Sequence, residues 1–301
     1  MGRFPIRLIN LGKQVDFLGQ NIDYVEKANS GDTYFSIYRG SGLEFKGHRE
    51  YTFQDSARNI DWKASLRSDR LLVKEYYQEK GMDVLFVYDV SETMLFGSQA
   101  KIKAHYGAEF VLTLASTAIE SNYNVGLVCF SDKIEHHFRP ASGNEQIGLF
   151  FDVLGNHTTY GGKYDLTKVL EYLDSTCSPG TVIILVSDFL GNKVPFDKFK
   201  NKFQQLSRKF DVISVILRDP RDEFMPDKNM NMVISNPYED GQLFVNVKKI
   251  KKEYEKYTRE QKTNLRNFLK KVNSEQFEIY TNKSFVDSTV AFFLRRGAIS
   301  S

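Results

Sequence analysis

Val84-Leu85-Phe86-Val87-Tyr88-Asp89-Val90-Ser91-Glu92-Thr93 decides the fold. Five apolar residues run without an alternating polar position, which describes a strand covered on both faces, as in a parallel sheet with helices above and below. The strand stops at an acidic residue, and Ser91 and Thr93 follow at alternate positions. In a tight turn feeding a helix, alternate side chains converge, so Asp-x-Ser-x-Thr offers three oxygens from one loop. A hard divalent cation such as Mg²⁺ takes oxygen ligands in near-octahedral geometry and leaves positions to water or to a partner's carboxylate. Capping of the following helix is the competing use of Ser91 and Thr93.

Outward from this stretch, Ile102–Ile119 carries helical spacing, with Ala108, Phe110, Val111, Leu114 and Ala118 as its buried stripe. Residues 124–130 (NVGLVCF) form a second buried strand, and 134–138 pairs beside it across the turn Ser131-Asp132-Lys133. Helices are expected near 144–154 and 166–175. Val182-Ile183-Ile184-Leu185-Val186 is a third buried strand ending at Ser187-Asp188, so Asp188 joins Asp89 as a candidate ligand, directly or through water. A helix from Pro195 to about Phe210 follows, since Pro suits a first helical position, then a strand at 212–217. A strand pair at 231–235 and 242–247 flanks Glu239-Asp240-Gly241. A charged helix over about 248–272, a strand at 276–280 and a helix at 284–295 complete the chain. Strands alternating with helices predict a doubly wound α/β fold with a mostly parallel sheet, whose ligands bind at the carboxyl ends of strands.

The N-terminal part reads differently. Residues 1–40 are irregular and could hold a peripheral strand or two. Residues 47–79 are polar with evenly spread aromatics and no helical period, which predicts short strands and tight turns. The expected organisation is a small N-terminal β-rich lobe, 1–80, packed on a main domain, 81–301, with a small insertion near 218–247. Arg49, Asp55, Arg58, Asp61, Arg67, Lys74 and Glu75 gather opposite charges around Trp62. They read either as a salt-bridged brace holding the lobe to the main domain or as a docking surface.

Composition narrows the function. A net charge of +3 without a concentrated basic patch does not point to nucleic acid, and Lys248–Lys252 reads as a solvated helix face. Two cysteines, Cys129 and Cys177, build neither a disulfide framework nor a thiolate metal site. A cytoplasmic location is expected, with any membrane association through partners, because the start has no signal-peptide core, Ile6 fails the myristoylation pattern and no apolar run reaches about 18 residues. No G-x-x-x-x-G-K-[ST] loop or G-x-S-x-G elbow appears. A haloacid-dehalogenase-type phosphatase would need a second Asp where Ser91 stands. His136 and His137 fall on opposite faces of one strand and do not share a metal.

Strand-Asp89-x-Ser91-x-Thr93, then Gly161-Gly162, then Ser187-Asp188 after another strand, resemble the von Willebrand factor A domain and its metal-ion-dependent adhesion site. Tyr51-x-x-x-Asp55-x-x-Arg58-x-Ile60-Asp61-Trp62-x-Ala64-Ser65-x-Arg67, Leu72-Val73-Lys74-Glu75, Asp219-Pro220-x-Asp222, Pro226 and Asp240-Gly241 resemble a bacterial family, domain-of-unknown-function family fifty-eight. The resemblance implies a von Willebrand factor A or Rossmann-like fold and a non-enzymatic role. It also implies a divalent ion (Mg²⁺, or Mn²⁺ or Ca²⁺) whose coordination is completed by a partner's acidic residue. The implied partner is a MoxR-type AAA+ ATPase, which the chain would serve as adaptor or co-chaperone. In the A-domain pattern a metal-ligating Thr follows the Gly-Gly pair, where this chain has Lys163. An ammonium is repelled by a divalent ion and cannot ligate it. Three arrangements answer this: Lys163 points to solvent while Thr158, Thr159 or a water substitutes; Asp165 pairs with Lys163 and holds it away; or the ammonium occupies the cation's place. The candidate metal set is Asp89, Ser91, Thr93 and Asp188, with Thr159 as the substitute. Beside the binding module stand a metal-dependent hydrolase or phosphatase using Asp89, and a structural scaffold with a degenerate metal site.

Overall fold

A computed structural model describes residues 45–52, 60–68, 70–76, 82–191, 196–227, 229–235 and 242–300. These fall into a unit within 36–81 and a unit holding 82–301. The expected strands within 1–40, Asp55, Arg58, Pro195 and the Glu239-Asp240-Gly241 turn lie outside the described residues.

The small unit holds β1 (Phe45–Glu50), α1 (Trp62–Ser68) and β2 (Leu72–Tyr76). β1 and β2 pair antiparallel, with Arg49 opposite Val73, and Ile60 bridges to Val73. The helix α1 corrects the expectation of strands and turns alone. It forms because Asp61 caps it: Oδ1 accepts from the amides of Lys63 (3.1 Å) and Ala64 (3.2 Å), which satisfies two of the amides a helix start leaves open. Asp61 Oδ2 lies 3.1 Å from His48 Nε2. Trp62 is 61% exposed.

The larger unit runs β3 (Asp83–Asp89), α2 (Lys103–Glu120), β4 (Asn124–Phe130), β5 (Ile134–Ala141), α3 (Glu145–Leu154), α4 (Leu166–Thr176), β6 (Val182–Ser187), α5 (Asp197–Lys209) and β7 (Asp211–Arg218). It continues with β8 (Asn231–Ser235), β9 (Gln242–Asn246), α6 (Val247–Lys271), β10 (Glu275–Tyr280) and α7 (Phe285–Ser300). Six strands form one sheet in the order β10-β7-β6-β3-β4-β5. All neighbours are parallel except β4 and β5. β8 and β9 form a separate antiparallel pair.

Alternation along the buried strands sends side chains to two helical layers. Leu85, Val87, Val128, Ile183 and Leu185 pack with Val169 and Leu173 of α4, Phe199 and Phe203 of α5, and Leu265, Phe268 and Leu269 of α6. Each such side chain contributes about 1.5–3 kcal/mol when fully buried. On the other face Phe110 of α2 meets Phe277 and Phe285 edge-on, and Phe292 of α7 stacks on Phe277 at 4.6 Å. Phe150 of α3 packs on Phe138. The chain leaves β3 for β4 on one side and later returns to β6 on the other. The carboxyl ends of β3 and β6 are thus the switch point at which open α/β sheets bind ligands.

Candidate functional site

Asp89 closes β3 and is fully buried. The chain then continues the ladder for one residue, Val90 N donating to Phe130 O at 2.8 Å, and turns through one turn of 3-10 helix at Glu92–Leu95. Asp89 is held at both oxygens: Oδ1 accepts from Ser91 N at 2.8 Å and Oδ2 from Ser187 Oγ at 2.6 Å. Ser91 makes no side-chain cap to the turn. Its Oγ lies 3.3 Å from Thr93 Oγ1, which donates to Asp188 Oδ1 at 3.2 Å. Asp89, Ser91, Thr93 and Asp188 are therefore gathered at one point, from two adjacent strand ends.

Asp188 is positioned by its own turn. Leu190 N donates to its Oδ1 at 2.9 Å, and Phe189 N to Ser187 Oγ at 2.9 Å. Phe189 takes φ 54°, a conformation costly for an aromatic residue and of order 1–3 kcal/mol. These bonds, with the burial of Phe189, hold the turn in that shape.

The Gly-Gly loop docks on the Asp89 loop by two backbone bonds, Gly161 N to Val90 O at 2.8 Å and Glu92 N to Gly162 O at 3.0 Å. Both glycines have positive φ, 134° and 79°, which side-chain-bearing residues rarely adopt. Lys163, the next residue, is exposed. Thr159 does not join the cluster, because its hydroxyl donates to Val153 O at 2.8 Å and so closes the short turn after α3. The ammonium that does reach the carboxylates is Lys103, in the first turn of α2. Its Nζ donates to Asp188 Oδ2 at 2.6 Å and lies 3.2 Å from Asp222 Oδ2. Arg218, at the end of β7, donates to the Asp188 carbonyl. Ser187 stood in the sequence pattern beside Asp188 but without a role of its own, and Lys103 and Arg218 carried no sequence motif. The available signal was Lys103's place on the buried stripe of α2, in phase with Gly107, Phe110 and Leu114.

The charges are unequally settled. Burial, and then repulsion from Asp188, push Asp89 up to about 7, against the hydrogen bonds from Ser187 and Ser91. For Asp188 burial acts upward, but the Lys103 ammonium outweighs it and holds the carboxyl below its ordinary value. Burial also raises Asp222, against the attraction of Lys103. Asp188 and Asp222 thus share one fixed ammonium, and Asp89 has none.

This donor set fits a hard cation. Neighbouring oxygens around an octahedral Mg²⁺ at 2.0–2.1 Å stand about 3 Å apart, and the Ser91–Thr93 and Thr93–Asp188 spacings are 3.3 and 3.2 Å. The uncompensated Asp89 sits beside them. Among the described residues no three His, Cys, Asp or Glu cluster as a metal site, so the hydroxyls are needed to complete any coordination. No described helix is long and apolar enough to cross a membrane.

No curated protein matches the sequence. Among solved structures, the conserved hypothetical protein BatB from Bacteroides thetaiotaomicron aligns with a TM-score of 0.51 at 11% identity, over 72% of this chain and 100% of that one. An aerotolerance-related membrane protein from Bacteroides fragilis aligns with a TM-score of 0.47 at 11% identity, over 71% and 100%. The likeness to BatB is one of fold, the von Willebrand factor A-like α/β architecture of the larger unit. A family model described as "Protein of unknown function DUF58" matches residues 47–264, and the chain belongs to that family.

Proposed function

We propose that the chain is a non-enzymatic protein-binding module, and that the strand-end cluster engages an acidic side chain of its partner through a divalent cation. Ser91 and Thr93 would hold the ion through their hydroxyls, with Asp89 and Asp188 supplying negative charge beside it. A bound Mg²⁺, Mn²⁺ or Ca²⁺ supplies positive charge and a coordination position open to a partner's carboxylate oxygen. The observation that carries the reading is the convergence of Ser91, Thr93 and Asp188 oxygens at ligand-like spacing next to buried Asp89. Phe96 and Leu190, apolar and substantially exposed, lie on the two loops that carry these residues. An apolar surface around a polar anchor is the composition of an interface core. The partner proposed is the one the sequence resemblance implies, a MoxR-type AAA+ ATPase, with the chain as adaptor or co-chaperone. The two free cysteines suit a reducing compartment, the cytoplasm.

The test is capture of the cognate MoxR-type ATPase by the full chain in Mg²⁺ and in EDTA, with titration calorimetry of Mg²⁺ and Mn²⁺. Wild type should capture the ATPase in Mg²⁺ only, and Asp89→Ala and Thr93→Ala should each lose at least about tenfold in affinity, the cost of one charge-assisted ligand. Equal capture by wild type and Asp89→Ala would favour the scaffold. Hydrolysis of a chromogenic phosphate ester that needs Mg²⁺ and vanishes in Asp89→Ala would favour the hydrolase.

A further inference from the structure

Lys103 is among the most deeply buried charged residues of the chain, 1% exposed. Its ammonium lies between two carboxylates on different elements, Asp188 after β6 at 2.6 Å and Asp222 after β7 at 3.2 Å, with the Phe96 ring centroid 5.5 Å away. The first turn of α2 is pinned where this is possible. Tyr88 on β3 donates to Ala104 O at 2.8 Å, and Lys103 N donates to Phe96 O at 3.0 Å. Desolvating an ammonium is costly unless its partners are close and well oriented, so this placement follows from the packing of α2 on β3 rather than from surface chance.

We propose that Lys103 is the strand-end site's built-in counter-cation, a positioning residue that neutralises Asp188 and Asp222 and so frees the fold from dependence on a divalent ion. The inference deepens the binding reading and rests on it only for the identity of the cation site. Two buried or nearly buried carboxyls, Asp188 and Asp222, face Lys103 and Arg218, and a third, Asp89, lies beside Asp188 with no cation of its own. Removing Lys103 leaves Asp188 without its 2.6 Å partner and makes the cluster one charge more negative. The oxygens of Asp89, Ser91, Thr93 and Asp188 then become the nearest place for a compensating cation. With Lys103 present, a metal is optional for folding and available for recognition.

The experiment is thermal unfolding of the full chain, in EDTA and in millimolar Mg²⁺ or Ca²⁺, for wild type, Lys103→Met, Asp188→Asn and the double variant. In EDTA, Lys103→Met should melt roughly 10 °C below wild type, the scale of a broken buried ion pair. Divalent cation should restore at least half of that loss while moving wild type by no more than about 2 °C, a ligand present near its dissociation constant. The double variant should melt above Lys103→Met, because it no longer buries an uncompensated Asp188. Where Lys103→Met does not fold in EDTA, recovery in Mg²⁺ or in the double variant supports the proposal, and failure of both overturns it. A Lys103→Met melt equal to wild type, or a variant that gains no more from divalent cation than wild type does, also overturns it. Failure of the binding reading looks different: wild type captures no partner, yet Lys103→Met still becomes cation-dependent.

Discussion

Asp219 shows how much one side chain holds at this end of the sheet. It is fully buried, and four donors converge on its carboxylate: Ser98 Oγ at 2.5 Å and Arg221 N at 2.9 Å on Oδ1, Ser98 N at 2.9 Å and Thr281 Oγ1 at 2.8 Å on Oδ2. Asp222 returns the cap by accepting from Asp219 N at 2.8 Å. Burial acts to raise the Asp219 carboxyl, but these hydrogen bonds, Ser98's first, hold it below its ordinary value. A depressed folded value contributes stability above the unfolded pKa of about 3.9, and that contribution is lost as pH falls through the lower folded value. Asp219→Ala should therefore cost about 2–4 kcal/mol at pH 7, mostly by stranding buried donors. The gap to wild type in urea titrations should narrow below about pH 4, where the unfolded chain's carboxyl takes up a proton that the folded carboxylate still resists. A gap that stays constant down to pH 3 would remove the charge from the explanation. The sequence showed Asp219-Pro220-x-Asp222 as a family mark without a role. It showed Asp89, Ser91, Thr93 and Asp188 with one, because each ends or follows an uninterrupted apolar run. Lys103 escaped because Lys101-Ile102-Lys103 reads as a solvated helix start, and only the partners on β6 and β7 make its burial tolerable.

Helix α2 is set against β3 by an absence of side chain. A Cβ on Gly107 would lie 2.6 Å from Tyr88 Oη, 2.8 Å from Tyr88 Cε2 and 3.1 Å from Leu217 Cδ2. Ala gains about 1 kcal/mol of helix propensity over Gly, and overpacking a dense core costs about 1–3 kcal/mol. Here the clash is with a ring whose hydroxyl is already committed to Ala104 O, so the core term wins. Gly107→Ala should lower stability by about 1–2 kcal/mol in urea unfolding, where a surface glycine in a helix would gain. An unchanged or raised midpoint would mean that α2 can slide on the sheet. The element pattern was open to sequence reading wherever burial was two-sided, as in 84–88, 124–130 and 182–186. It was closed where burial was slight. Only Ser65 of α1 is buried, so no apolar stripe marks that helix and its sole signal is the Asp61 cap. The charged first half of α6 likewise hides that Leu265, Phe268 and Leu269 near its end enter the main core.

At the scale of the whole molecule, the two units differ in what they bury. All six strands of the main sheet and the helices on both its faces lie in 82–301. Within 36–81 the described residues supply one buried apolar side chain, Val73, and a two-stranded sheet. A two-stranded pair with so little apolar burial is marginal in water, whereas a doubly covered sheet contains its own core. Residues 82–301 expressed alone should therefore unfold in one cooperative urea transition, and residues 36–81 alone should show no thermal transition by circular dichroism. The same fragment separates the two uses of the charged segment around Trp62. If that segment braces the larger unit, the fragment melts well below the full chain. If Trp62 is a docking anchor, the fragment keeps its melting temperature and loses partner affinity. We expect the second result, because large, rigid aromatics such as Trp are the residues that anchor interfaces. Trp62→Ala in the full chain should then reproduce the loss of capture without a shift in melting, and a melting temperature that falls with capture intact would assign the segment to stability instead.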